Sequence, residues 1–341
     1  MYILSCLFKR VLSTYPLNYF MEDFKRYNSA WCITDGSAGM ISQVTGLAMA
    51  MNLKFGRKIV KLNFPWNLMP LGILPILNIT FKNLYDFKES ELPRFIITCG
   101  RRSAYLSLYL KRKYDSKIIN IHIQNPKINI NNFDLIIAPN HDNLFGKNVI
   151  SSTLAMNHIS KELIASEMKN FEKDFKNSED SICSIFIGGQ SNNYIFDENT
   201  VKELIITLKE IKKNNLIKFV FIFSRRTNQF IIDKIKDSFI DTDNVWLDKG
   251  RNPYIALLGY SKYIICTSDS VSMVSEAITS MKSVYIFRLK NKKTRNRIDN
   301  FIDDVIEKGY ARQIHKKIIE FDHNYINEMS IIANEIHKKF N

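Results

Sequence analysis

The 341-residue sequence lacks any run of about 20 consecutive apolar residues, the length that a membrane-spanning helix requires. Its most apolar stretch, Leu68 to Ile79, is too short and is interrupted by two prolines. The apolar N-terminus, Met1 to Phe8, is followed by Lys9 and Arg10 without a small-residue cleavage site, so it is a poor signal peptide. We therefore expect a soluble or monotopic protein.

Cysteine pairs and metal-binding clusters are also missing. No C-x-x-C pair occurs, and no histidines and cysteines stand at zinc-ligand spacing. Asp241-Thr242-Asp243 precedes a predicted strand, which favours a polar turn over a metal motif. We expect no protein-held metal, no bound cofactor and no disulfides. Four of the five cysteines lie in apolar strand-like runs, so we predict buried thiols in a reducing compartment. The five are Cys6, Cys32, Cys99, Cys183 and Cys266.

Acidic residues are few, with 34 Asp and Glu against 48 Lys and Arg, which gives a formal charge of +14. Such a balance favours anionic partners such as phosphorylated ligands, nucleic acid or an acidic lipid surface. A coding bias toward Lys, Asn and Ile is an alternative source of the excess charge. The positions of the arginines are therefore more informative than the total.

Short β-branched runs alternate with helical patterns, which predicts an α/β fold with parallel sheets covered by helices on both faces. The length predicts two domains, because a single core stops growing near roughly 250 residues. We predict helices at Met40–Asn52 and Ser103–Lys113. The predicted strands are Trp31–Thr34, Lys58–Leu62, Phe95–Thr98, Ile118–Ile123, Leu135–Ala138, Ser181–Ile187, Lys218–Phe223, Asn244–Leu247, Tyr263–Cys266 and Ser283–Phe287.

The domain boundary is predicted where the chain becomes amphipathic and charged, between His158 and Asp180. Residues 1–158 form the first predicted domain, 159–180 a linker helix and 181–323 the second domain. Residues 324–341 form a final helix that packs back across the junction.

Open parallel sheets bind ligands beyond the carboxyl ends of their strands. In the first domain, Asp35, Gly36 and Gly39 follow a strand in a turn that leads into a helix. Gly100-Arg101-Arg102 and, in the second domain, Ser224-Arg225-Arg226-Thr227 place paired arginines after strands. Such pairs suit phosphate or carboxylate recognition. The alternative for Asp35, Gly36 and Gly39 is a plain βα turn. The alternative for the paired arginines is solvated surface charge.

The strongest motif runs from Cys266 to Ala277, where a buried strand leads into a hydroxyl-rich helix start. Ser270 and Ser272 can donate to a diphosphate, and Glu276, one to two turns on, can accept from ribose hydroxyls. Gly188 and Gly189 could let backbone N–H groups approach phosphates. The alternative is a helix capped by Asp269 or Ser270 without a ligand.

His141 and Asp142 follow the last strand of the first domain and form a candidate general base with a carboxylate that fixes its tautomer. Asp35 is the rival base. A structural or exposed histidine is the alternative.

The stretch Phe64–Leu77 is rich in apolar side chains and proline and is flanked by Lys58, Lys61 and Lys82. Its prolines exclude a long helix, and the combination of Trp66 with lysines suits a membrane interface. Packing of this loop on the N-terminal core is the alternative.

These segments together resemble the elongated-mitochondria (mitochondrial fission) family of glycosyltransferase-like proteins over about Ala30 to Arg312. The resemblance depends on residues that are spread through both predicted domains: Thr34, Asp35, Gly36, Gly39, Gln43, Gly100, Arg101, Arg102, Gln124, Pro126, Ala138, Pro139, His141, Asp142, Gly188, Gly189, Ser191, Ser224 to Thr227, Asn252 to Tyr254, Thr267 and Asp269 to Glu276. Gln190 and the Lys-rich segment Leu289–Arg297 depart from the family pattern.

The resemblance implies a GT-B-like fold, with two Rossmann-like domains whose parallel sheets face a central cleft and a nucleotide-sugar site in the second domain. We expect a metal-independent glycosyltransferase of cell-envelope glycolipid or lipopolysaccharide assembly, cytoplasmic or peripheral on the cytoplasmic face of the inner membrane. A nucleotide-sugar epimerase, and a non-enzymatic adaptor like the plant branch that recruits a dynamin-related protein, are the alternatives.

The expected partners are a nucleotide sugar, a saccharide or lipid-linked acceptor and an anionic membrane surface, and not nucleic acid. The expected acceptor site uses Gly36, Gly39, Gly100, Arg101 and Arg102, and the acceptor proton goes to His141 or Asp35 with Asp142 in support. The expected donor site comprises Gly188, Gly189, Ser191, Ser224, Arg225, Arg226, Asn252, Tyr254, Asp269, Ser270, Ser272 and Glu276.

Overall fold

The structure is a computed structural model that describes residues 28–70, 72–176, 180–189, 191, 193–247 and 250–340. The predictions about Met1–Phe8, Cys6, Gln190 and Leu71 lie outside these residues. The described chain divides into two compact units. Unit 1 comprises residues 28–138, 144–151 and 329–340, and unit 2 comprises Pro139–Asn143 and Ser152–Glu328.

The first sheet has six strands in the order β2-β1-β3-β4-β5-β6, and its neighbours from β2 to β5 pair in parallel. The strands are β1 (Ser29–Thr34), β2 (Lys54–Ile59), β3 (Phe95–Cys99), β4 (Ile119–Ile123), β5 (Leu135–Pro139) and β6 (Val149–Ser152). Helix α1 (Ala38–Ala50) follows β1, and helix α2 (Arg101–Tyr114) follows β3.

The second sheet also has six strands, all parallel, in the order β10-β9-β7-β11-β12-β14. Its strands and an antiparallel ribbon of β8 with β13 are β7 (Ser181–Ile187), β8 (Tyr194–Ile195), β9 (Ile217–Phe223), β10 (Asn244–Val245), β11 (Ser261–Thr267), β12 (Ser283–Phe287), β13 (Lys290–Asn291) and β14 (Arg312–Gln313). The remaining helices are α3 (Lys161–Asn170), α4 (Glu172–Phe175), α5 (Glu198–Asn214), α6 (Gln229–Phe239), α7 (Tyr254–Tyr260), α8 (Val271–Thr279), α9 (Arg297–Glu307) and α10 (Glu328–Phe340).

Strand β7 shows why these strands are almost continuously apolar. Ile182 and Phe186 point into one buried cluster of unit 2, and Cys183, Ile185 and Ile187 point into another. Because successive side chains alternate between faces, a strand covered by helices on both sides has no solvent-facing position. The four described cysteines are buried, as predicted, and none is in a disulfide.

The units differ from the predicted domains at their edges. Residues 139–143 and 152–158, which we placed in the first domain, belong to unit 2. The predicted linker is α3 and α4, and Tyr260 of α7 donates a 2.9 Å hydrogen bond to the Met168 carbonyl of α3. Residues 329–340 of α10 belong to unit 1, where the His337 ring lies 3.1 Å from the Met51 carbonyl oxygen.

Most predicted strands are present, but β2 begins four residues before the predicted Lys58 and ends at Ile59. The two-residue strands β8, β13 and β14, and the short β6, have too few residues for a periodic signal. Among the described residues, no helix is long and apolar enough to cross a membrane.

Candidate functional site

The carboxyl edge of the second sheet brings together three loops that the sequence pointed to. Strands β9, β7 and β11 are neighbours. They end at Phe223, Ile187 and Thr267, which precede the Ser224-Arg225-Arg226 turn, the glycine pair and the hydroxyl-rich segment. These three predicted donor-site segments therefore lie side by side in unit 2.

Asp269 ties these loops together. Its side chain is fully buried and accepts hydrogen bonds from the Gly189 N–H at 3.0 Å, the Thr267 hydroxyl at 2.7 Å and the Arg226 guanidinium at 3.2 Å. Burial raises the pKa of the Asp269 carboxyl, and the donors on Gly189 and Thr267 and the Arg226 charge oppose that rise. Asp269 thus organises the site from inside rather than facing a ligand.

The glycine pair is required by close packing. A Cβ on Gly188 would come within 2.5 Å of the Asp269 carboxyl carbon, and one on Gly189 within 2.7 Å of the Thr227 nitrogen. The N–H of Gly188 donates to the Thr267 hydroxyl at 2.8 Å. Both glycine N–H groups are therefore used inside the unit, which differs from the predicted donation to a phosphate.

The neighbouring polar residues form local turns. The Ser191 hydroxyl accepts from the N–H groups of Asn193 and Tyr194, each at 3.2 Å. Ser224 accepts from the Arg226 N–H at 3.2 Å. The Ser224 turn fixes where the exposed arginines begin. The Arg225 side chain is exposed and has no hydrogen-bond or ion-pair partner within the described residues.

Helix α8 begins at the same edge. The Ser270 hydroxyl caps it by accepting from the Met273 N–H at 3.4 Å. The N–H groups of Val271 and Ser272 meet no acceptor in the described part of the chain. Free N–H groups and the positive end of the helix dipole together attract anions.

Glu276 lies on α8, is almost fully buried and accepts a 2.7 Å hydrogen bond from the Tyr254 hydroxyl. Burial raises the pKa of Tyr254, and the nearby Glu276 charge adds to that rise. The Tyr254 ring packs on Phe186 at 4.6 Å between centroids, and the Asn252 side chain accepts from the Tyr254 N–H at 2.9 Å. The structure therefore joins three predicted donor-site residues, Asn252, Tyr254 and Glu276, in one hydrogen-bonded chain.

His141 and Asp142 form a second group in unit 2, in a 3-10 turn at Asn140–Asp142. The Asp142 carboxylate accepts from Arg297 of α9 at 2.9 Å, and the His141 ring meets Phe301 edge-on at 5.3 Å between centroids. Burial lowers the pKa of His141; Asp142 acts to raise it and Arg297 to lower it. The imidazole is therefore neutral at pH 7, the form that accepts a proton.

The predicted first-domain residues lie at the carboxyl edge of the first sheet. Gly36, at φ +95°, follows Asp35, whose carboxylate accepts the Ser37 N–H at 3.0 Å. Gly39 is in the first turn of α1. Asp35 therefore shapes the turn that starts this helix.

Gly100 precedes α2 at φ +87°, a backbone region that favours glycine. Arg101 donates to the carbonyl oxygens of Asn67 and Met69, each at 2.9 Å, so it holds a loop of unit 1 instead of remaining available to an acceptor. Arg102 is exposed and has no partner within the described residues.

Two contacts of the site were missed from sequence. Ser275 accepts from the Ala155 N–H at 3.0 Å, and Arg297 reaches Asp142 across 155 positions of sequence. The Ser275 hydroxyl is visible in the motif, but its partner lies 120 positions away. No local pattern reveals such a pairing.

The described residues contain no group of three or more His, Cys, Asp or Glu side chains that could hold a metal ion. Asp243, of the Asp-Thr-Asp sequence, is buried and accepts from the Phe219 N–H at 2.8 Å. It has a structural role in the turn before β10.

Comparison with known proteins gives family and fold. The family described as Mitochondrial fission ELM1 matches residues 38–340. The chain is 30% identical to the uncharacterized protein RP120 of Rickettsia prowazekii (strain Madrid E), over 89% of this chain and 96% of that protein. It is 21% identical to the Mitochondrial fission protein ELM1 of Arabidopsis thaliana, over 71% of this chain and 63% of that protein.

Among solved structures, a putative UDP-N-acetylglucosamine 2-epimerase from Listeria monocytogenes superposes with a TM-score of 0.50 at 11% identity. The match covers 92% of this chain and 88% of that one. Together with the two parallel sheets, it confirms the predicted GT-B-like fold.

Proposed function

This chain belongs to the Mitochondrial fission ELM1 family, as its motifs predicted, and from that premise we propose that it is a glycosyltransferase. In this proposal unit 2 binds a nucleotide sugar and the sugar passes to a saccharide or lipid-linked acceptor of the cell envelope. The nucleotide sugar is a substrate, and no resident cofactor is needed.

The start of α8 is the observation that carries the proposal. Ser270, Ser272 and two N–H groups that have no acceptor among the described residues lie at the carboxyl edge of a parallel sheet, where such sheets bind ligands. Glu276 lies further along the same helix and is already hydrogen-bonded to Tyr254. A diphosphate at the helix start would place a ribose within reach of that carboxylate.

The arginine pair supports the same site. The Arg226 guanidinium is held by Asp269 on one side and remains half exposed, while Arg225 is exposed. Transfer of a sugar leaves a nucleoside diphosphate with growing negative charge. Arginines and a helix N-terminus stabilise such charge, so the proposed reaction does not require a bound metal.

We assign His141 as the general base that takes the proton from the acceptor hydroxyl, since its lowered pKa keeps it neutral. Asp142 would hold its orientation, and Asp35 is the rival base. Acceptor recognition is assigned to unit 1, with exposed Arg102 for an anionic acceptor group.

A screen of nucleotide sugars by thermal shift, followed by product analysis, tests the proposal. A donor at 100 times its dissociation constant adds about 2.7 kcal/mol of stability. Free nucleotide together with transferred sugar supports a transferase. An isomerised nucleotide sugar would indicate an epimerase instead, and absence of both binding and turnover would indicate an adaptor.

Two variants at the helix start separate binding from stability. Ser270→Asn and Ser270→Asp both retain a capping oxygen, but only Ser270→Asp adds a negative charge where the diphosphate is expected. We expect Ser270→Asp to weaken donor binding at least tenfold, measured by calorimetry, while Ser270→Asn stays within about threefold of the parent. Equal binding by both variants would place the diphosphate elsewhere.

A further inference from the structure

We propose that one surface of unit 1 docks on an anionic lipid bilayer. The surface consists of an exposed apolar loop, residues 63–70 and 72–80, here called the proline loop, and the lysines at its base. This proposal concerns unit 1 alone and holds whether or not unit 2 binds a nucleotide sugar.

The proline loop exposes apolar side chains that a folded protein normally buries. Trp66 and Ile76 pack partly against the core of unit 1, but six other large apolar residues of the loop are exposed. Their exposed fractions are 74% for Phe64, 69% for Leu68, 40% for Met69, 61% for Ile73, 51% for Leu77 and 64% for Ile79. Six such residues within one short loop form a patch, and patches of this kind mark interaction surfaces.

Several backbone carbonyls of the loop accept hydrogen bonds from side chains of unit 1. Arg101 donates to the Asn67 and Met69 carbonyl oxygens, and Tyr105 donates to the Pro70 carbonyl at 2.9 Å. The Trp66 indole N–H donates to the Pro75 carbonyl at 2.9 Å. An unsatisfied carbonyl in lipid costs several kcal/mol. These four carbonyls have internal donors and can therefore leave water without that cost.

Positive charge stands at the base of the loop. The Lys82 N–H donates to the Lys61 carbonyl at 2.9 Å, so the two lysines flank the point where the loop begins and ends. An adjoining groove has five basic residues, Arg57, Lys58, Lys61, Lys82 and Lys88, against the two acidic residues Asp86 and Glu91. Lys58 Nζ lies 3.7 Å from a Glu91 carboxylate oxygen, whereas Arg57, Lys61, Lys82 and Lys88 are exposed and have no ion-pair partner within the described residues. Basic residues beside an apolar tip match an anionic headgroup layer.

Charge also argues against other occupants. A second copy packed symmetrically would bring two basic grooves together. Residues 1–27 of this chain carry a positive balance as well, with Lys9, Arg10, Lys25 and Arg26 against Glu22 and Asp23. An anionic bilayer supplies both the apolar medium and the opposite charge.

Vesicle co-sedimentation of the full chain, without nucleotide, tests the proposal. The loop variant is Leu68→Asp/Ile73→Asp, which changes two exposed side chains. The matched control is Leu216→Asp/Ile326→Asp, which changes two exposed apolar side chains of unit 2. With vesicles containing about 30% phosphatidylglycerol, we expect the loop variant to bind at least tenfold more weakly than the parent and the control to bind like the parent.

The charge is tested separately. Lys61→Glu/Lys82→Glu should lose binding to anionic vesicles, while Lys213→Glu/Lys317→Glu, which changes exposed lysines of unit 2, should keep most of it. Binding of the parent should also fall as salt is raised. Equal pelleting of parent and loop variant, or no pelleting of the parent with anionic vesicles, would overturn the proposal.

Two further measurements identify a different occupant. Light scattering that shows a dimer for the parent and a monomer for the loop variant would assign the patch to a second copy and overturn lipid docking. Thermal unfolding without vesicles tests whether other residues of this chain cover the patch. A midpoint that falls in the loop variant but not in the control would show that residues of this chain bury the patch, which also overturns it.

Discussion

Asp142 accepts a 2.9 Å hydrogen bond from Arg297, 155 residues later in the chain. The Asp142 side chain is 1% exposed, whereas the Arg297 side chain is 54% exposed. Beside this pair, burial lowers the pKa of His141, Asp142 acts to raise it and Arg297 acts to lower it. The two charges of the pair therefore shift the pKa of the candidate base, His141, in opposite directions.

Neutralising each partner should move the His141 titration in opposite directions. We expect Arg297→Gln to raise the pKa of His141, because a nearby positive charge is lost, and Asp142→Asn to lower it. The imidazole proton resonances, followed by NMR against pH, measure both shifts without any substrate. Arg295→Gln is the control, since Arg295 pairs with Asp303. Shifts of the same sign in both variants would contradict this account.

His141→Gln should lower turnover far more than donor affinity, because a general base acts in the transition state. A fall of roughly 10²–10⁴ in kcat is the expected scale. With a base whose pKa is lowered, activity of the parent should persist below pH 6.5, the usual value for histidine. Unchanged kcat in His141→Gln together with a large fall in Asp35→Asn would transfer the role to Asp35.

Gly189→Ala should destabilise unit 2, because the added methyl meets backbone atoms of Arg226 and Thr227 that hydrogen bonds hold in place. Overpacking of this kind costs about 1–3 kcal/mol. Gly56→Ala is the matched control, since its methyl would lie an ordinary 3.9 Å from Trp31. Urea unfolding compares the free energies of unfolding of the two variants. Equal losses would mean that the Gly189 loop can move away from Arg226 and Thr227 without cost.

The sequence was sufficient for features that leave a local pattern. Strands such as β7 are recognisable because both of their faces are buried, and Ser270 is recognisable as a helix cap because it precedes an apolar helix. The role of Asp269 was not recognisable, since its partners Gly189 and Arg226 lie 80 and 43 residues away. The use of Arg101 in a loop of unit 1 depends in the same way on contacts made only after folding.

His122 gives a prediction about stability and pH. Its ring is buried in β4, with Nδ1 2.9 Å from the Thr98 hydroxyl and the Phe133 ring at 5.0 Å. Burial lowers its pKa to about 3. Below pH 6.5 the unfolded chain binds a proton at this residue that the folded chain does not, so stability falls as pH decreases.

Between pH 7.5 and pH 5.5 this single group should lower the free energy of unfolding by about 1.4 kcal/mol. His122→Asn cannot titrate and should therefore show a loss smaller than that of the parent by about 1.4 kcal/mol, whatever its stability at neutral pH. Burial also lowers the pKa values of His141 and His323. These two histidines are present in both the parent and His122→Asn, so their contributions cancel in the comparison. Ile121→Val, a buried change on the same strand, is the control: it should lower stability by about 1 kcal/mol at both pH values. Urea unfolding at the two pH values decides the matter, because parallel losses in the parent and in His122→Asn would mean that His122 becomes protonated within the folded protein.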